Sequence, residues 1–176
     1  MSPAVFCGFG AIDKSIFVVV ISPNNRNCQF KVSLHVGKLH IGQTEFRNVG
    51  LVGVGAEQNY LIAGWARPEL LVLMDFDIYI PWLHKAYRVA FELASTPDEL
   101  IALWRDKDGR ERLKAGIVRT YGETGEVQDI LRAVKYAKAV GRHLAKLQAS
   151  YAGLGIPCFL TDQGQYDFIA NLWGSG

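Results

Sequence analysis

Hydrophobic and polar positions in the N-terminal part of the chain follow the pattern of short β-strands. Ser15–Ile21 is a β-branched apolar run, residues 28–36 alternate apolar with polar side chains, and residues 38–41 lie between two glycines. Alternation with a period of two is typical of half-buried strands, and we expect the first two runs to pair with each other. The pattern therefore predicts a β-rich section over residues 1–48.

From residue 49 onward the pattern changes to short continuous apolar runs separated by helical periodicity. Val49–Val54 and Leu70–Met74 are typical of strands buried on both faces, and Cys158–Leu160 predicts a third. The composition of Glu57–Ala66 favours a helix between the first two runs. We therefore expect three parallel neighbours in one sheet, joined by right-handed helical crossovers.

Further helices follow from spacing and from start signals in the sequence. Ile80–Ala94 has an apolar stripe at helical spacing, and a capping box with proline at the first position predicts a helix over Pro97–Arg105. Residues 105–112 are charged and broken by a glycine, which predicts a loop. Glu126–Tyr151 predicts one long amphipathic helix, and Thr161 or Asp162 is expected to cap a last helix.

These elements together predict the α/β fold class, with a Rossmann-like parallel sheet flanked by helices and an N-terminal β-rich section. The predicted divisions are residues 1–48 for the β-rich section, 49–173 for an incomplete Rossmann-like domain, and 174–176 for a linker or tail.

The composition of the chain limits the classes of protein to which it can belong. The chain has 176 residues, 49% of them apolar and 20% charged, which allows one domain with a substantial core. A formal charge of +2 gives no global field typical of nucleic-acid or membrane proteins. Three scattered cysteines without CxxC spacing favour a reduced compartment and no metal site, and no apolar run approaches the roughly 20 residues that span a bilayer. These features predict a cytoplasmic protein without a membrane partner.

The turn after the strand at residues 49–54 carries the chemistry expected of a ligand loop. Gly53 and Gly55 permit a sharp turn and a close approach of a ligand to the backbone, and the helix start beyond them offers unpaired N–H groups. About twenty residues on, Asp75 and Asp77 lie where a carboxylate of a β-α-β nucleotide site accepts hydrogen bonds from ribose hydroxyls.

Two departures from the dinucleotide fingerprint narrow the ligand class. The third glycine of G-x-G-x-x-G would fall at Gln58, and Glu57 places a negative charge beside the position of a pyrophosphate. Both features disfavour NAD and FAD. A ligand with an ammonium group, such as S-adenosylmethionine, tolerates that carboxylate better.

The segments "GVGAEQN", "ARPELLVLMDFD" and "LHKAYRVAFELA" resemble a family of uncharacterised bacterial proteins with the class I methyltransferase fold, over Val49 to Trp173. The resemblance implies S-adenosylmethionine as cofactor, with Gly53 and Gly55 facing its carboxypropyl part. It also implies Asp75 or Asp77 on the ribose and Asp162 on the adenine, and it names no substrate and no catalytic residue.

The chain matches only the first half of that fold, because the later strands of a seven-stranded sheet are missing. Three explanations stay open: a fragment, a sheet completed by the N-terminal section, or an exposed sheet edge covered by a second copy in a homo-oligomer.

Each of these residues also has a purely structural explanation. The two glycines can form a tight turn without a ligand, Asn59 is expected to bind the loop backbone more readily than a ligand, and an aspartate that follows a strand can cap the next helix. This last role is the favoured one for Asp162. His84 is a candidate base, although a lone helical histidine is more often simply hydrogen-bonded.

A basic helix face suggests a different class of function, a non-catalytic interaction or structural domain that contacts phosphates or a nucleic acid. This face comprises Arg132, Lys135, Lys138, Arg142 and Lys146. Such a stripe is more often the solvated side of an amphipathic helix.

Overall fold

The computed structural model describes residues 17–21, 32–35, 38–41, 50–68, 70–122 and 124–174. The predicted boundary at residues 48 and 49 and the last two residues of the predicted tail lie outside this part of the chain. The described residues form five strands: β1 (Phe17–Ile21), β2 (Val32–His35), β3 (Lys38–Ile41), β4 (Gly50–Val54) and β5 (Leu70–Asp75).

A three-stranded sheet in the order β1-β5-β4 carries the predicted ligand loop. Strands β4 and β5 are parallel, with Val52 opposite Val72, which confirms the expected parallel pair. On the other side of β5, β1 runs antiparallel, with Val19 opposite Leu73. Because Leu71, Val72 and Leu73 are buried, β5 needs hydrogen-bond partners at both of its edges.

The pairing of the N-terminal strands differs from the expected one. Strands β2 and β3 form their own antiparallel hairpin, while β1 leaves them and joins β5. The predicted pairing of the first two runs is therefore wrong.

The rest of the described chain is helical, and it outweighs the sheet. The helices are α1 (Gln58–Ala66), α2 (Tyr79–Leu93), α3 (Pro97–Arg105), α4 (Lys107–Tyr121), α5 (Gly125–Tyr136), α6 (Val140–Gly153) and α7 (Gln163–Gly174). The protein is thus an α-rich α/β domain with a small mixed sheet.

Three helices follow the sequence prediction closely, and for α3 the reason is the local chemistry at its start. Helix α3 begins with Thr96, whose Oγ1 accepts a hydrogen bond from the Glu99 amide at 3.2 Å. The Glu99 carboxylate in turn accepts from the Ser95 amide at 2.7 Å. Helices α1 and α2 start and end within one residue of the predicted limits.

Two segments differ from the prediction because helix packing overrides local composition. Residues 105–112 were expected to be a loop, but Arg105 ends α3 and residues 107–112 form the start of α4. Gly109 lies so close to α3 that a Cβ would approach the Ala102 carbonyl oxygen to 2.2 Å. The long helix expected over Glu126–Tyr151 is two helices. It breaks between α5 and α6, where Gly141 packs directly on the backbone of Arg105.

The third strand predicted at Cys158–Leu160 is a turn, so the expectation of three parallel neighbours is wrong. The amides of Thr161 and Asp162 both donate to the Cys158 carbonyl oxygen at 2.8 Å, and the Cys158 amide donates to the Thr161 hydroxyl at 2.9 Å. The apolar run is buried because it covers the core, with no strand partner.

Tyr60 of α1 lies at the centre of that core and is fully buried. Its ring meets those of Tyr87, Phe91, Phe159 and Trp173 edge-on, with centroid distances from 5.3 to 6.3 Å. Edge-to-face packing of this kind adds to the free energy gained from burial alone. The cluster joins α1, α2, α7 and the turn at residue 159, and it holds the start of α1 in place.

Candidate functional site

The loop between β4 and α1 lies at the carboxyl end of the parallel pair, as predicted. Gly55 has a φ of +92°, a conformation that favours glycine. Its amide donates to Asp75 Oδ2 at 2.9 Å, and the Asp77 amide donates to Asp75 Oδ1 at 2.8 Å. Both oxygens of Asp75 therefore accept hydrogen bonds from the protein's own backbone.

His84 fixes the same loop from the opposite side. Its Nε2 lies 2.9 Å from the Gly55 carbonyl oxygen, and its Nδ1 lies 2.6 Å from the Tyr60 hydroxyl. A carbonyl oxygen only accepts, so Nε2 carries the hydrogen and Nδ1 accepts from Tyr60. Burial lowers the pKa of His84 to about 4, although the Gly55 carbonyl and Asp75 oppose the shift. The imidazole is consequently neutral at pH 7 and acts as a bridge inside the protein.

Side chains from α1 fill the space that the loop glycines leave open. A Cβ on Gly53 would lie 1.9 Å from Asn59 Oδ1, and a Cβ on Gly55 would lie 1.9 Å from Gln58 Nε2. The side-chain nitrogen Nδ2 of Asn59 also donates to the carbonyl oxygens of Val54 and Gly55, at 3.2 and 3.0 Å. A ligand that approached the glycine backbone along these directions would require the two side chains to move.

The remaining carboxylates predicted for a cofactor cap helices. Asp77 Oδ1 accepts from the Tyr79 amide at 2.9 Å at the start of α2, and Asp162 Oδ1 accepts from the Gln165 amide at 2.8 Å at the start of α7. The structure thus brings Gly53, Gly55, Asn59, Asp75 and Asp77 together at one loop, and places Asp162 at the start of α7.

A second feature, a cavity of about 470 Å³, lies between α3, α4 and α5. Its apolar side is formed by Trp104, Leu131, Val134 and Ala137, and its basic side chains are Arg110, Lys114, Lys135 and Lys138. The volume falls within the range of small-molecule sites, roughly 300–1,000 Å³.

The positive charges at the cavity are only partly neutralised. Lys114 pairs with Glu111 at 2.8 Å, and this ammonium lowers the pKa of the Glu111 carboxyl. Arg110 donates to a backbone oxygen, that of Arg105, at 2.5 Å. Within the described part of the chain, Lys135 and Lys138 make no ion pair. The cavity therefore has an excess of positive charge.

Sequence analysis identified only half of these cations. Lys135 and Lys138 belong to the predicted basic face, which the break between α5 and α6 divides. Arg110 was missed because residues 105–112 were expected to be a loop, and Lys114 was missed because no helix was predicted for the residues that follow. Charges spaced four residues apart on α4 are consistent with one helix face, but only the packed structure shows what that face meets.

The described residues contain no group of three or more His, Cys, Asp or Glu side chains arranged to hold a metal ion. In the same part of the chain, the helices are all too short or too polar to cross a membrane.

Fold and site together define an α-rich α/β domain with a closed glycine loop and a basic, partly apolar cavity. The chain belongs to the family described as "Domain of unknown function (DUF7790)", whose model matches residues 39–176. A search of the curated proteins found no match.

Proposed function

We propose that this domain is a binding module for an anionic ligand, and that the ligand enters the cavity between α3, α4 and α5. The observation that carries the proposal is the convergence of four cations, Arg110, Lys114, Lys135 and Lys138, on one cavity. The four side chains carry like charges around one cavity and repel each other. The opposite charge of a bound anion would offset this repulsion.

The cavity is suited to binding more than to catalysis. Among the described residues that line it, none carries a carboxylate, an imidazole, a thiol or a hydroxyl. A general acid–base pair needs two groups that exchange a proton near pH 7 within reach of a substrate. Lysine and arginine side chains in a largely exposed setting instead supply fixed positive charge.

Calorimetric titration with inorganic pyrophosphate at about 0.15 M ionic strength, where charges more than about 8 Å apart are largely screened, tests this proposal. We expect measurable binding by the wild-type protein. The double variant K135Q/K138Q should bind roughly fivefold to thirtyfold more weakly, because exposed charge pairs contribute roughly 0.5–1 kcal/mol each.

A matched control is K107Q/K146Q, which removes the same charge from two exposed lysines that do not line the cavity. This variant should lose less than about twofold in affinity once salt screens distant charges. Equal losses in the two variants, or no binding by the wild-type protein, would contradict the proposal.

Binding of S-adenosylmethionine by a Rossmann-like, methyltransferase-like domain is a second candidate function. Phe76 favours it, because this side chain is 70% exposed and stands between Asp75 and Asp77, where a nucleoside base would find an aromatic surface. Strands β4 and β5 also have the parallel arrangement that such a site needs. The candidate requires Gln58 and Asn59 to leave the glycine loop.

Melting experiments with S-adenosylhomocysteine test the second candidate. A ligand that binds only the native state raises the melting temperature with its occupancy. We expect Asp75→Ala or Asp77→Ala to abolish this ligand-induced increase if either carboxylate binds the ribose. The candidate is rejected if the wild-type melting temperature does not change at millimolar ligand.

A further inference from the structure

We infer that the ligand of the basic cavity is an organic phosphate that carries a compact apolar or aromatic group. This inference rests on the proposed function, since it specifies the ligand class of the same cavity. The anionic head would lie among the four cations, and the apolar group would cover the wall formed by Trp104, Leu131, Val134 and Ala137.

The apolar wall is the first argument for a ligand with two parts. Trp104 and Val134 are buried to 3% and 6% exposure, and they form the deeper part of the wall. Leu131 and Ala137 are only half-buried. An inorganic anion would leave the exposed parts of Leu131 and Ala137 in contact with water, whereas the apolar group of a larger ligand would cover them and be covered itself.

The arrangement of the cations is the second argument. Arg110 and Lys114 stand on α4, while Lys135 belongs to α5 and Lys138 follows its end, so positive charge reaches the cavity from two elements. Opposed cations suit a head group with two negative charges, and the planar guanidinium of Arg110 matches the geometry of phosphate oxygens.

A nucleic-acid strand fits these observations less well. Sequence-tolerant strand binders combine a continuous basic groove with several stacking aromatics. Here the basic face is divided where α5 ends, and Trp104 is the single aromatic residue among the described residues that line the cavity. A small ligand enclosed by one cavity is the better match.

Titrations with methyl phosphate, phenyl phosphate and 1-naphthyl phosphate separate the two parts of the ligand. We expect affinity to rise along this series, by at least tenfold from methyl to naphthyl phosphate. Leu131→Ala should reduce this ratio at least threefold, because it removes apolar surface at a half-buried position. A circular dichroism melt of the variant shows whether its fold is intact.

The outcomes distinguish this inference from the proposed function. Equal affinity for the three phosphates, with K135Q/K138Q still weakening all of them, would overturn the inference and leave anion binding in place. Absence of binding by all three, together with no heat from pyrophosphate, would overturn both. A single-stranded oligonucleotide that competes at lower concentration than naphthyl phosphate would assign the cavity to nucleic acid and also overturn the inference.

Discussion

At the scale of single residues, His84 illustrates how a candidate catalytic group becomes a structural one. From its position in the sequence, His84 was a candidate proton-transfer base near the carboxyl end of the parallel strands. Both ring nitrogens are instead used inside the protein, by the Gly55 carbonyl oxygen and the Tyr60 hydroxyl. Burial raises the pKa of Tyr60 well above its usual range, and the nearby Glu57 carboxylate adds to this shift, so the hydroxyl keeps its proton for His84. Because His84 is buried as a neutral imidazole, the free energy of unfolding should depend on pH in a measurable way.

Stability should fall as the pH falls from 6.5 to 4, because the unfolded chain then binds a proton that folded His84 does not. The folded pKa of about 4 lies below the usual 6.5, so the full contribution is present above pH 6.5 and absent below pH 4. The difference amounts to about 3 kcal/mol. Denaturant unfolding at several pH values measures it, with His84→Gln as the reference that lacks the titrating group.

The quantity to compare is the change in unfolding free energy between pH 6.5 and pH 4 in the two proteins. Contributions from ionisable groups that the substitution leaves in place are common to both proteins and cancel. If wild type and variant lose the same free energy over this range, His84 is not a buried neutral imidazole.

At the scale of elements, the sequence predicted those helices and strands whose ends are set by local chemistry. The start of α3 is determined by Thr96, Pro97 and Glu99, which act within one turn. The division between α5 and α6 has no such local cause. The amphipathic pattern continues through it, and the break appears because Gly141 docks on α3.

The candidate site was predictable to a similar extent. Gly53, Gly55 and Asp75 do meet, because a β-α-β connection dictates where a strand ends and the next begins. Asn59 was expected to hydrogen-bond the loop backbone, as it does, but the way Gln58 also fills the loop depends on side-chain packing, which no spacing rule contains. The cavity depends on three helices, and the start of one of them was expected to be a loop.

Substitution of Gly141 tests the helix contact that divides α5 from α6. A Cβ at this position would lie 2.6 Å from the Arg105 amide nitrogen and 2.7 Å from the Trp104 carbonyl carbon, and backbone atoms cannot move aside as a side chain can. We expect Gly141→Ala to lower the free energy of unfolding by about 1–3 kcal/mol, the usual cost of overpacking. Urea denaturation measures the change.

Gly153 of the same helix is the matched control, since a Cβ there meets nothing within 4 Å. Gly153→Ala should leave stability unchanged or raise it slightly, because alanine favours helices more than glycine does. A loss of the same size in both variants would attribute the effect to helix propensity and remove the packing explanation for the break.

At the scale of the whole molecule, the acidic and basic residues nearly balance in number, yet positive charge is concentrated at the cavity between α3, α4 and α5. A formal charge of +2 over 176 residues argued against a global basic field, and that argument still holds. The net charge does not describe the cavity, where Arg110 and Lys114 from α4 meet Lys135 and Lys138 from the end of α5. A nearly balanced average charge therefore gives no sign of an extended polyanion surface and is compatible with a local anion site.

The sheet edge bears on assembly at the same scale. β4 forms one edge of the described three-stranded sheet, and Val52 and Val54 on it are 46% and 54% exposed. An exposed apolar edge strand offers a surface for pairing with another chain. A homo-oligomer formed through this edge stays a prediction, separate from the binding of an anion.

The most direct test of the central claim locates the bound anion by its effect on backbone amide NMR shifts during a pyrophosphate titration. We expect the largest shift changes to cluster at Trp104, at residues 110–114 and at residues 131–138, and we expect residues 53–59 and 75–77 to change little. Changes concentrated at the glycine loop, or spread evenly over all exposed lysines and arginines, would contradict it.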